Sequence, residues 1–115
     1  MPRVRVAAVE IRQVLANLLL NASDAVARQT AKRLVRISAV HKGRWVWIKV
    51  EDSGPGIAPE MREKIFQPLF TTRPEGTGMG LAICRRVIAA HGGNIKAGRG
   101  RGGGARFEFS LPVAR

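Results

Sequence analysis

The stretch RQVLANLLLNASDAVAR, residues 12–28, constrains the fold more than any other part of this chain. On a helical wheel of about 100° per residue, Gln13, Asn21, Asp24 and Arg28 fall within about 40° of Asn17. Ile11, Val14, Leu15, Leu18, Leu19, Ala22, Ala25 and Val26 fill a broad opposite arc. An apolar arc that wide needs a sheet or a second helix to cover it. The pattern predicts a helix over residues 10–29 that must pack on a layer supplied by the rest of the chain.

That layer is written in alternating runs. RVRVA (3–7), RLVRISAV (33–40) and WVWIKVED (45–52) read as strands, the last two joined by HKGR as a hairpin turn. PEMREKIF (59–66) reads as a short helix with Pro59 at its start. A second long helix spans 79–91 and stops at Gly92-Gly93. NIKAG and ARFEFSLPV close the chain as a pair of strands, with an arginine–glycine stretch at 98–104 between them. Strands joined by hairpins, alternating with helices, predict one domain over 1–115. Its fold class is an α/β two-layer sandwich, a mixed, mostly antiparallel sheet with helices on one face.

Composition narrows the partners. Net charge is +12, from 20 Lys and Arg against 8 acids. This favours an anionic partner: a nucleotide, a nucleic acid or an acidic protein face. The basic residues are spread from Arg3 to Arg115, Tyr is absent and Phe is scarce, so specific nucleic-acid recognition is not expected. No apolar run approaches the roughly 20 residues of a membrane span. The lone Cys84 has no partner for an internal disulfide, which fits a reducing, cytoplasmic setting.

Three stretches carry candidate chemistry. The polar stripe of the first helix is made of Asn and Asp, which compete for backbone hydrogen bonds, where solvent faces favour Lys, Glu and Arg. Asn17, Asn21 and Asp24 offer short oxygen ligands about a turn apart. That suits a hard cation such as Mg²⁺, which shares phosphate oxygens with few protein ligands; an ordinary solvent face is the alternative. In VEDSGPGI (50–57) a strand ends in Asp52, followed by Gly54 and Gly56. A carboxylate there can accept a hydrogen bond from an exocyclic amine such as that of adenine, or it can simply cap the turn. In FTTRPEGTGMGLAI (70–83) a glycine loop runs into an apolar helix, a combination that suits phosphate. Its alternating Gly76, Gly78 and Gly80 match neither a P-loop nor a dinucleotide loop.

Together, and in this order, these stretches resemble the ATP-binding catalytic domain of bacterial sensor histidine kinases. QVLANLLLNASDA resembles the asparagine box, DSGPGI the first glycine box, IFQPLFTTR the phenylalanine box and GTGMGLAI the second glycine box. HGGNI and ARFEFSLP are similar to the closing sequences. The resemblance covers nearly the whole chain. It implies the Bergerat fold, shared with gyrase-type topoisomerases, mismatch-repair ATPases and the large heat-shock chaperone, and it implies ATP and Mg²⁺ as ligands. By the same resemblance Asn21 is the principal Mg²⁺ ligand and Asn17 helps hold the phosphates. Asp52 reads the adenine amine, Gly54 and Gly56 let the base approach, and Ile57 packs against it. Gly76, Gly78, Gly80 and Leu81 belong to a short lid, to which Thr77 adds a hydroxyl. Arg73 lies near the γ-phosphate, and Phe66 and Phe70 anchor the lid by packing. The role of Asp24 stays open between an outer-shell Mg²⁺ ligand and a solvent-exposed side chain.

The ATPase branches of that superfamily carry a glutamate as general base where this chain has Asn17. An amide cannot take a proton at neutral pH, so phosphoryl transfer is favoured over hydrolysis by a clamp or chaperone domain; a basic binding module without kinase activity is the remaining alternative. The chain's histidines, His41 and His91, are followed by Lys42 and Gly92, not by an acid, and neither reads as a phosphoacceptor. The expected partner is a histidine-bearing dimerisation domain, with a response regulator downstream and the isolated fragment a monomer. Several departures from the family are visible, among them Asp24 where some relatives carry a phosphate-facing Lys. Val9 stands where a capping Asp is common, just before the long helix. GGGARF lacks the Ser or Thr often found before the last strand's Phe.

Overall fold

The computed structural model describes residues 8–27, 33–68 and 80–114. In chain order the elements are α1 (Ala8–Ala27), β1 (Val35–Lys42), β2 (Trp45–Asp52), two 3₁₀ turns (Pro59–Met61 and Lys64–Phe66), α2 (Gly80–Ala90), β3 (Ile95–Arg99) and β4 (Ala105–Pro112). The strands form one sheet in the order β1-β2-β4-β3, and every ladder among the described residues is antiparallel. The expected strand at 3–7 lies outside the described residues.

Register explains where the core sits. Val50 lies opposite Ile37 and Phe107, and Ile48 lies opposite Ala39 and Phe109. With a side-chain period of two, Val46, Ile48, Val50, Phe107, Phe109, Leu111 and Ile95 share one face of the sheet. Both helices pack on that face, α1 against β1 and β2, α2 against β3 and β4. The apolar arc read from the helical wheel is the buried side of α1: Ile11, Val14, Leu18, Ala22 and Val26 are all buried. Ile11, Val14, Leu18 and Ala22 meet Ile88 and Cys84 of α2 in a single cluster with Phe109 and Leu111. Cover thins at β1, where Ile37 remains 54% exposed. The other face carries Trp45, Trp47, Lys49, Glu108 and Lys96, with Lys96 Nζ 5.2 Å from the Trp47 ring centre and 3.6 Å from Glu108.

Three local expectations change. The hairpin turn is shorter than HKGR: strands run through His41 and Lys42, leaving Gly43 (φ 58°) and Arg44 as the loop. His41 therefore sits in β1, its Nε2 2.9 Å from the Gly43 carbonyl. The segment at 59–66 forms two 3₁₀ turns in place of one helix, because so short a stretch gains too few α-type bonds to offset nucleation. Val9 is not a cap, since α1 already begins at Ala8; it is 73% exposed in the first turn. The end of α2 is as expected. Gly92 takes φ 81° and the Gly93 N–H donates to the Ile88 carbonyl, the wrap-around bond that closes a helix C-terminus. His91 sits at this terminus, with Nδ1 2.8 Å from the Val87 carbonyl.

Candidate functional site

Asp52 ends β2 and is only 6% exposed. Its Oδ1 accepts the Gly54 N–H at 2.8 Å and the Ala105 N–H at 3.1 Å. The first bond closes the turn after the strand, and the second ties that turn to the start of β4. Oδ2 has no hydrogen-bond partner among the described residues. A buried carboxylate thus has one oxygen fixed by the backbone and the other left to accept a donor. The glycines around it are required by close approach. A Cβ on Gly54 would lie 2.9 Å from both Cβ and O of Ala25, and one on Gly104 would run into the Asp52 carbonyl oxygen. Sequence reading singled out Gly54 but not Gly104, whose partner is far away along the chain.

Gly54 seats on α1, and this fixes the direction of the site. Asn17, Asn21 and Ala25 form one i, i+4, i+8 ridge. The Asp52 turn sits at its Ala25 end, and the start of α2 sits at its Asn17 end. Asn17 Oδ1 accepts from Gln13 Nε2 at 3.2 Å, and its Nδ2 points to the Gly80 carbonyl (3.5 Å) and to Cys84 Sγ (3.7 Å). Asn21, halfway between, is half-buried, and its side chain makes no hydrogen bond among the described residues. Asp24 is exposed and engaged in an interaction of its own. Ile57 and Leu81 pack on the core cluster from either side of the 58–79 segment. Burial pushes the Cys84 thiol up, outweighing the Asn17 hydrogen bond, so this cysteine is a core residue and not a nucleophile.

Arg85 ties together the segments that flank the glycine loop. Its guanidinium makes two bonds to Glu63, at 3.1 and 3.2 Å, and lies 4.2 Å from the centre of the Phe66 ring. Phe66 is buried and meets Phe107 edge-on, with centroids 6.2 Å apart. The hydrogen bonds from Arg85, with its charge, hold the Glu63 carboxyl below its ordinary 4.5. A depressed folded-state value means that the pair supports the fold above about pH 4.5 and loses that support as pH falls through the folded value. Glu63→Gln should therefore lower the melting temperature slightly at pH 7, and the gap from the parent chain should close in acid. An equal gap at both ends would refute this reading. Of the other expected site residues, Arg73, Gly76, Thr77 and Gly78, and the packing residue Phe70, lie outside the described residues.

Residues 7–115 match the family described as histidine kinase-, DNA gyrase B-, and HSP90-like ATPase. The chain belongs to this family. Among curated proteins it is 42% identical to the sensor histidine kinase ZraS of Escherichia coli O157:H7, over 98% of this chain and 24% of that one. It is 40% identical to the sensor protein FixL of Bradyrhizobium diazoefficiens, over 92% of this chain and 21% of that one. Among solved structures, the catalytic domain of histidine kinase ThkA superposes with a TM-score of 0.84 at 39% identity, covering 96% of this chain and 70% of that chain. Full-length ShkA in complex with AMPPNP gives 0.86 at 36% identity, covering 99% and 24%. The chain thus spans about a quarter of the curated kinases it matches. The match establishes a histidine-kinase-type ATP-binding domain, with the two-layer sandwich expected of it.

Within that domain, no cluster of three or more His, Cys, Asp or Glu side chains able to hold a metal occurs among the described residues. A cation here would need oxygens from its own ligand. The uncommitted amide of Asn21 fits a Mg²⁺ carried in with phosphates, since that ion takes few protein ligands. No described helix is long and apolar enough to cross a membrane.

Proposed function

We propose that this domain binds Mg-ATP along the α1 ridge and donates the γ-phosphoryl group to a histidine on a separate dimerisation domain, in two-component signalling. The observation that carries this is Asp52: a buried carboxylate with one oxygen locked by two backbone N–H groups and the other without a partner among the described residues, beside the Ala25 end of a helix ridge whose next polar residues are Asn21 and Asn17. The base sits at the Asp52 end with Ile57 beside it, Gly54 and Gly56 admitting its edge. The triphosphate runs toward Asn17, Gly80 and Leu81, with Gly76, Gly78, Thr77 and Arg73 completing the lid. Asn21 would be the protein ligand of Mg²⁺, which would supply charge neutralisation on the phosphates. Asp24, at the solvent edge, is assigned no direct contact.

The chain's own residues position and do not deprotonate. Asn17 presents an amide whose oxygen already accepts from Gln13, so no described group on this ridge stands as a general base toward water. Phosphoryl transfer in such a site relies on orientation and charge neutralisation. We read residues 1–115 as one such domain, cytoplasmic and monomeric in isolation, with a response regulator as the downstream acceptor.

Calorimetric titration with a non-hydrolysable ATP analogue tests the assignment. Saturable binding is expected, and removal of Mg²⁺ should weaken it. Asn21→Ala should weaken Mg²⁺-supported binding about tenfold, or about 1.4 kcal/mol, yet change Mg²⁺-free binding little. Failure of a folded sample to bind would overturn the proposal. An Asn21→Ala variant with the parent's Mg²⁺ dependence would overturn the metal role alone.

A further inference from the structure

A hollow of about 370 Å³ opens between the 55–59 segment and the β3–β4 turn, lined by Gly56, Ile57, Arg62, Arg99, Gly103 and Gly104 among others. Among the described residues no carboxylate lines it. Among the described residues Arg62 Nε is buried without a hydrogen-bond partner. Among the described residues, neither the Arg62 nor the Arg99 side chain enters an ion pair. Arg99 Nη2 comes within 3.9 Å of where a Cβ on Gly103 would sit, so it leans over the turn.

Two arginines line one hollow with no counter-charge among the described residues, and the +12 charge of the chain offers no relief. A buried donor left unpaired adds a desolvation cost. Both costs vanish if an oxyanion occupies the hollow, and the planar fork of arginine matches phosphate oxygens two at a time. We propose that the hollow is a binding site for a small phosphate-class dianion, held between Arg62 and Arg99. It shares Gly56 and Ile57 with the base end of the nucleotide site but lies apart from the triphosphate groove, because neither Asn17 nor Asn21 lines it. It also has a structural reach. A Cβ on Gly56 would lie 3.1 Å from the Gly103 carbonyl oxygen, and Gly104 backs directly onto the Asp52 carbonyl. A dianion joining Arg62 to Arg99 therefore braces the two loops that seat Asp52.

The test is a titration of the isotopically labelled, nucleotide-free chain with inorganic phosphate, followed by backbone amide NMR at constant ionic strength. Saturable shifts are expected at Gly56, Gly103 and Gly104. Arg62→Gln or Arg99→Gln should weaken them about tenfold, while amides elsewhere keep the parent spectrum. Where Arg62→Gln loosens the fold, Arg62→Lys keeps the charge, loses the fork and should still weaken binding. Acetate should bind about tenfold more weakly than phosphate; equal binding would overturn the phosphate class. Non-saturating shifts spread over the basic surface, parent-like affinity in both variants, or shifts centred on Asn17 and Asn21 would each overturn the site. Because no nucleotide is present, its failure is distinct from any failure of the ATP assignment.

Discussion

Asp52→Asn is expected to weaken binding of an ATP analogue about thirty- to hundredfold, or about 2–3 kcal/mol, without unfolding the chain. The replacement keeps a carbonyl oxygen where Oδ1 accepts from Gly54 and Ala105, so the turn and the start of β4 retain their ties. The new NH₂ stands where Oδ2 stood and turns a donor toward the base's own amine. Two donors then face each other in a site shielded from water, which costs more than the loss of one hydrogen bond. The same logic predicts that a purine triphosphate with a carbonyl in place of the amine binds the parent chain poorly. Calorimetry of both proteins with both nucleotides checks this. An Asp52→Asn affinity within threefold of the parent would remove Asp52 from base recognition.

Phe109→Ala should cost about 3–5 kcal/mol of folding free energy. Phe109 is fully buried, stands opposite Ile48 on one neighbouring strand and Ile95 on the other, and belongs to the cluster that receives Leu18 and Ile88 from the two helices. Its ring lies where both helices meet the centre of the sheet, so its removal leaves a void that neither layer can close by a small shift. Against a typical domain stability of about 5–15 kcal/mol, that loss is a large share. Urea unfolding should show a lower midpoint with an unchanged slope. A loss below about 1 kcal/mol would mean that the core collapses around the gap.

What was legible in the sequence, and what was not, divides by the range of the interactions. The buried arc of α1, the β1–β2 pair and the glycine stop of α2 are written in local periodicity and turn chemistry, and they stand within a few residues of where they were read. The segment at 59–66 misled because an acidic, proline-led stretch satisfies helix-start rules without having the length to repay nucleation. The turn at His41–Arg44 is shorter than HKGR suggests because a histidine and a lysine at the end of a strand look like loop. At the site, the box motifs pointed to Asp52, Gly54 and the asparagine ridge, whereas the contacts of Gly104, Arg62, Arg99 and Arg85 depend on segments far apart in the chain. Arg85 in particular reads as an ordinary basic residue of a helix until Phe66 and Glu63 are folded beneath it.

The long contacts from Asn17 Nδ2 to the Gly80 carbonyl and Cys84 Sγ have a thermodynamic consequence. At 3.5 and 3.7 Å they are weak, so this amide is a shared resource that a phosphate oxygen can claim at little cost. Whatever claims it frees the first turn of α2, and whatever holds that turn in place competes for the same donor. By linkage the two equilibria are reciprocal: the degree to which a nucleotide loosens the start of α2 equals, in free energy, the degree to which fixing α2 penalises the nucleotide. A partner docking at that helix would then tune ATP affinity without touching ATP.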